Sequence, residues 1–325
     1  MLRNRRASRV LVTLAVVASL AGATLTIPSA AGAGQLTPST TGYWLLTGDG
    51  GVFTFGTRFF GAPASDPARC PVSPLPGRVP QPNGTCWSMA SMPEGTGYWI
   101  INSLTGAIFR YGNAGNFGDP QTKFAHTSPE FLPVMRQIVA TADGKGYWVY
   151  EIGASDMGTV DHYGDAGFFG DTTSFARAHP GIAYNGSPVA MAATADGKGY
   201  WEVYSDGGVF AFGNARFAGS MAGRGLAAPI VGIVATASGK GYFLTASDGG
   251  VFAFGDARFA GSMSGQPHAP IVGIARNPAG PGYWLAGDNG EIFSFGGAPF
   301  LGTLATFGIR GHVYAIVTKG GHGLP

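Results

Sequence analysis

The sequence predicts an all-β fold assembled from six copies of one unit, and three observations predict it. The tripeptide GY[WF] recurs with its tyrosine at positions 43, 98, 147, 200, 242 and 283, spaced by 41 to 55 residues. Glycine fills 55 of 325 positions, more than twice the usual share of about 7%, and clusters in strings such as DGG and GKG that punctuate many short elements. Beyond residue 33 no stretch repeats apolar residues at helical spacing.

Each unit reads as four short strands. The first is an apolar run such as PIVGIVAT (Pro229 to Thr236), followed by a Gly-rich turn, and the second is the GYW run itself. Asp-Gly or Asn-Gly then predicts a tight turn, as at Asp206-Gly207, Asp248-Gly249 and Asn289-Gly290. The third strand, GVFAFG, alternates Phe210 and Phe212 against Ala211. The fourth, ARFAGS, is short and ends on glycine. Four antiparallel strands per 40 to 50 residues is the pattern of a β-propeller blade. The chain reaches Tyr43 without a first strand for that unit, while HVYAIVTKGG from His312 matches the missing strand. The expectation is a six-bladed β-propeller over residues 41–320, closed by its carboxyl-terminal strand, with a tail at 321–325. A linear β-solenoid is the alternative.

Residues 1–33 read as a signal peptide. Arg3, Arg5, Arg6 and Arg9 precede an apolar run from Val10 to Leu25, and Ala31 and Ala33 set a small-residue cleavage site. The Arg5-Arg6 pair leaves general and twin-arginine export both open. Cleavage removes four arginines and no acid, turning the formal charge from +2 to −2. No later segment is long and apolar enough to span a membrane, and no basic stripe suits nucleic acid. With 22 Phe, 12 Tyr and 6 Trp at so low a net charge, the chain is not of disordered composition. A short linker, 34–40, leads into the repeats.

The units GYWLxxSDGGVFAFGxARFxGS and PIVGIxxTxxGKGYW resemble repeats of secreted actinobacterial proteins, often attached to cell-wall-active or other hydrolase domains. The likeness runs from Thr41 to Lys319 and weakens in the third unit, where MGTVDHYG replaces DGGVFAFG. It implies an extracellular propeller and no specified activity.

Motifs for chemistry are missing. GSMAG and GSMSG place Met where a hydrolase elbow needs Ser, and no H-E-x-x-H or phosphate-binding loop occurs. We therefore expect no catalytic residue, metal or cofactor. The repeated Asp49, Asp206 and Asp248 read as turn residues, since Asn289 and Thr105 replace them in other units. The repeated aromatics read as packing between blades, although a multivalent lectin would repeat them too.

Departures from the repeat carry more information. Asp161 replaces Phe210 and His162 replaces Ala211, while Glu202 stands where sister units have Leu45, Ile100, Val149, Leu244 and Leu285. The third unit adds Glu151, with Arg136 and Gln137 where the fifth has Val231 and Gly232. A carboxylate in an apolar slot is costly unless paired or wet. These six residues form a candidate polar pocket, or else a structural cluster at a decayed repeat.

The expected function is a secreted, monomeric, non-catalytic binding or scaffold module. Its partner would be an extracellular glycan, a cell-wall component or a surface protein, with carbohydrate binding the leading case. An extracellular hydrolase of glycosidic or ester bonds, using acids of the third and fourth blades, is the alternative.

Cys70 and Cys86, the only cysteines, flank a Pro-rich insertion at about 63–86 and read as a disulfide in an exported chain, two free thiols being the alternative. Such a loop gains on the order of 3 kcal/mol from closure in the chain-entropy model. Mass mapping of non-reduced peptides from host-exported protein is expected to find the two linked. Recovery of both as free thiols refutes the staple.

Overall fold

The computed structural model describes residues 41–63, 87–125, 127, 133–153, 156–181 and 184–320. The predicted leader, the linker, the tail and both cysteines lie outside the described residues. In chain order the elements are β1 (Tyr43–Thr47), β2 (Val52–Phe55), β3 (Trp87–Ser91), β4 (Gly97–Asn102), β5 (Ile108–Gly112), α1 (Pro120–Lys123), β6 (Val134–Ala140), β7 (Gly146–Ile152) and β8 (Gly158–Gly164). They continue with α2 (Thr172–Ala178), β9 (Pro188–Ala193), β10 (Gly199–Tyr204), β11 (Val209–Gly213), β12 (Ile230–Ala235), β13 (Tyr242–Ala246) and β14 (Val251–Phe254). The last are β15 (Ile271–Arg276), β16 (Tyr283–Gly287), β17 (Ile292–Phe295), a 3-10 turn (Leu304–Phe307) and β18 (Val313–Thr318).

The chain is all-β in architecture, with six three-stranded antiparallel sheets. Sheets two to six take consecutive strands, from β3-β4-β5 to β15-β16-β17. Sheet one is β18-β1-β2, with Tyr43 opposite Thr318 and Leu45 opposite Ile316, so the carboxyl-terminal strand completes it as expected. The first strands of the sheets touch in succession: β3 with β6, then β9, β12, β15 and β18, and β18 with β3. The middle strands, which carry GY[WF], lie between two neighbours in their own sheet and are buried on both faces. Every residue of β1, β4, β10, β13 and β16 is buried.

The turn residues act as predicted. Asp49, Asp206 and Asp248 each accept from the backbone N–H two residues on, at 2.9 to 3.1 Å, and Asn289 does the same. Thr105 substitutes its hydroxyl at 3.3 Å. The glycine after each Asp adopts φ of 77 to 82°, a conformation that costs glycine nothing and other residues about 1 kcal/mol or more.

Two expectations need correction. The fourth strand does not form: ARFAGS at 215–220 has no ladder partner. Its glycine, with φ of 132° at Gly219, Gly261 and Gly302, leaves the extended region. A Cβ on Gly219 would meet the Phe254 ring at 2.6 Å. The segment is held by side chains instead. Trp201 Nε1 donates to Arg216 O at 2.9 Å from within the same unit, and Tyr242 of the next unit donates to Gly219 O at 2.5 Å.

Helices form as well. The chain between sheets three and four closes a capping box, with Asp171 Oδ1 accepting from Ser174 N at 2.7 Å and Ser174 Oγ accepting from Asp171 N at 3.0 Å. Helices of four and seven residues are too short to show a period. No helix among the described residues is long and apolar enough to cross a membrane.

The tyrosine bond recurs at all six joints. Tyr98, Tyr147, Tyr200, Tyr242 and Tyr283 donate to Gly61, Gly118, Gly170, Gly219 and Gly261 of the preceding unit, and Tyr43 donates to Gly302 of the last at 2.6 Å. Tyr43→Phe and Tyr242→Phe should therefore each lower stability by about 1 to 2 kcal/mol, because each leaves a carbonyl short of its donor. Denaturant melts of the two variants check this. A negligible cost at Tyr43 alone would mean that the joint between sheets six and one is not formed in solution.

Candidate functional site

Strand register confirms the alignment of the units. Val149 faces Asp161 across β7 and β8 as Leu45 faces Phe53, while Glu202 faces Phe210 across β10 and β11. Side chains alternate along a strand, so Tyr147, Val149 and Glu151 share one face of sheet three, and Trp148 and Tyr150 share the other. The first face packs on Trp99 and Ile101 of sheet two. The second packs on Met191 and Tyr200 of sheet four.

The six candidate residues are thereby divided. Glu151 and Asp161 sit in the slot between sheets two and three, and Glu202 sits in the next slot. Gln137, fully buried in β6, accepts from Met191 N of β9 at 2.7 Å and ties two first strands together. Arg136 occupies a bulge in β6. Its Nε has no partner, and burial pulls its guanidinium below the ordinary arginine range. His162 is exposed and stacks against Phe168.

Asp161 replaces a phenylalanine and is matched by a cation from an insertion. Lys123, the last residue of α1, reaches both of its carboxylate oxygens, at 2.5 and 2.6 Å. Glu151 is only 4% exposed, and burial, reinforced by the Asp161 charge and opposed by Lys123, pushes its carboxyl up to about 8. Its Oε2 has no hydrogen-bond partner.

Glu202 is 0% exposed and replaces a leucine. Burial pushes its carboxyl up to about 8 against the Thr172 hydroxyl, which lowers it. Thr172 Oγ1, at the start of α2, lies 2.7 Å from Glu202 Oε2 and 3.1 Å from Gly158 O, and it accepts from Tyr204 at 2.7 Å. Tyr150 also donates to Glu202, at 3.3 Å. One hydroxyl carries one proton. Thr172 can therefore donate to Glu202 Oε2 or to Gly158 O but not to both, while its backbone N–H also reaches Oε2 at 3.4 Å and Oε1 has no hydrogen-bond partner among the described residues. An ionised Glu202 would compete with Gly158 for that proton. Burial thus favours the neutral form of Glu202, and at 0% exposure the carboxyl is closed to solvent.

Two features escaped sequence reasoning. The helices bring Lys123 and Thr172 to the acids, and only the capping pattern of Asp171 and Ser174 marked one of them. The second is a repeated exposed ring. Phe168, Phe217, Phe259 and Phe300, at one position in four successive units, are 48 to 61% exposed. The GYW rings, by contrast, are all buried. Phe217 lies in a segment without ladder partners, so no alternation could assign it inward or outward. Among the described residues no group of three or more His, Cys, Asp or Glu is placed to hold a metal.

Raised carboxyl groups fix a direction of pH dependence. The folded state holds the Glu202 proton from its unfolded value near 4.5 up to about 8, so stability is fully present below the unfolded value and falls as pH rises through 8. Glu202→Gln should flatten that decline and raise stability at pH 9 by on the order of a few kcal/mol. Thermal melts from pH 5 to pH 9 read it. An unchanged slope in the variant would show that Glu202 is ionised in the fold.

A comparison with protein-family models finds no match for this chain, and a comparison with curated proteins finds none either.

Proposed function

We propose that the six sheets close into a six-bladed β-propeller and that this propeller is a secreted, non-catalytic binding or scaffold module. Its partner is a carbohydrate, or a protein, at the bacterial cell surface. The single observation that carries this reading is the exposed phenylalanine repeated in four blades. An exposed ring is a poor contributor to stability, whereas equivalent rings on successive blades offer a multivalent stacking surface. The succession of contacts between first strands supports the closed ring. The hydrolase alternative has less support, since Glu151 and Glu202 are 4% and 0% exposed and so closed to a substrate.

The test is a binding screen of the exported chain against glycans, peptidoglycan fragments and surface proteins, repeated with Phe217, Phe259 and Phe300 all changed to Ala. Because these rings are exposed, the melting temperature should move little while binding weakens at least tenfold. Full binding by the triple variant would remove the reading, as would turnover of any bound glycan.

A further inference from the structure

The fifth unit differs from its five sisters at one residue of the repeated tripeptide, and that residue borders a half-open cavity. In the other units the tryptophan after the repeated tyrosine donates its indole N–H to a backbone carbonyl three residues before the strained glycine. Trp44, Trp99, Trp148, Trp201 and Trp284 reach Arg58 O, Gly115 O, Gly167 O, Arg216 O and Pro299 O at 2.7 to 2.9 Å. The fifth unit has Phe243 there, and Phe243 has no N–H. The equivalent carbonyl, Arg258 O, receives no hydrogen bond among the described residues.

A cavity of about 260 Å³ lies between sheets five and six, lined by Phe243, Arg258, Phe259, Arg276, Pro281 and Thr236. A cavity of about 150 Å³ already holds benzene, so this one has room for a single substituted six-membered ring. Phe259, 60% exposed, forms its outer wall.

The lining carries three kinds of group that need partners. Phe259 presents an apolar face. Arg258 O is an acceptor without a donor. Arg258 and Arg276 are cations outside the ion pairs of the described residues, which involve Lys123, Lys145 and His312; Arg258 is exposed to solvent, whereas Arg276 is partly buried. Arg276 Nη1 makes only a 3.2 Å bond to Asn277 O. Burial alone pulls it below the ordinary arginine range. The carboxylate bonded to a lining residue, Asp256, is already engaged by the Thr236 and Ser238 hydroxyls and faces Lys240.

We propose that this cavity is a binding site for one acidic sugar residue, a pyranose that bears a carboxylate. The sugar's C–H face lies on Phe259, one of its hydroxyls donates to Arg258 O, and its carboxylate takes the fork of Arg276 with Arg258 beside it. A neutral sugar would leave the partly buried Arg276 unpaired, and an aromatic acid would leave the carbonyl without a donor. The assignment rests on the carbohydrate-binding form of the function proposed above and names one site and one ligand class within it.

Phe243→Trp is the decisive variant, because it restores the residue of five sister units. The indole should occupy the part of the cavity beside Arg258 O, donate to that carbonyl as Trp201 does to Arg216 O, and leave the melting temperature equal or higher. The full exported chain is titrated calorimetrically with saccharides of glucuronate, galacturonate and N-acetylmuramate, each against its neutral counterpart. At least one acidic saccharide should bind the parent ten times more tightly than its counterpart. Phe243→Trp should abolish that binding, and Arg276→Gln, with an unchanged melt, should reduce it to the neutral level. Binding that survives Phe243→Trp, or that prefers neutral sugars, overturns this site and leaves the broader binding function standing. Failure of every saccharide on the parent chain overturns this site and the carbohydrate form of that function together.

Discussion

The hydroxyl of the repeated tyrosine, buried between two sheets and donating to a glycine carbonyl of the preceding unit, is the bond on which the rest of the structure depends. A tyrosine in an apolar joint must find an acceptor. The acceptor comes from the segment that leaves the preceding sheet, and that segment has no ladder partner among the described residues. The requirement is mutual: the tyrosine needs a carbonyl, and a backbone without a strand partner needs a donor. Glycine at that point serves both ends, since its φ turns the carbonyl inward and its missing side chain admits the next sheet's phenylalanine, as Phe254 approaches Gly219. The tryptophan beside the tyrosine pins the same segment from within its own sheet. Each unit is thus fastened to its predecessor through one tripeptide, and, in all but the fifth, to itself as well.

Where the repeat departs from its apolar pattern, an insertion supplies what the departure requires. Asp161 receives Lys123 from the helix that precedes sheet three, and Glu202 receives Thr172 from the helix that precedes sheet four. Desolvating a carboxylate is expensive, and the two slots resolve it differently. The outer acid is paired with a half-exposed lysine, whereas burial raises the carboxyl of the fully enclosed one and favours its neutral form. Both outcomes follow from depth, and both leave these acids largely enclosed between sheets.

The surface chemistry lies elsewhere, on the segments that no ladder restrains. Phe168, Phe217, Phe259 and Phe300 project from them at equal positions, so the same glycine and tyrosine that fasten the sheets also hold a row of rings outward. A rigid frame presenting equivalent exposed rings is suited to repetitive ligands, because each contact needs little ordering beyond what the fold has already imposed.

The residues determined a good deal by themselves. The spacing of GY[WF], the Asp-Gly turns and the alternation of GVFAFG specify six units, the order of their first three strands and the inward burial of the GY[WF] rings, because these depend on local turn chemistry and side-chain period. The pairing of β18 with β1 was legible for the same reason, as an apolar pattern missing from one end and present at the other. What only the tertiary structure decided was the fate of groups whose partners lie far along the chain. ARFAGS looks like a strand until Gly219 turns away and Tyr242 takes its carbonyl. Glu151 and Glu202 look like one pocket until strand alternation sends them to opposite faces of sheet three. The single change from Trp to Phe at position 243 is plain in the sequence, but the cavity and the orphan carbonyl of Arg258 arise only when sheets five and six are brought together. Local chemistry fixes which way a chain turns, and long-range packing fixes which polar groups are left without a partner.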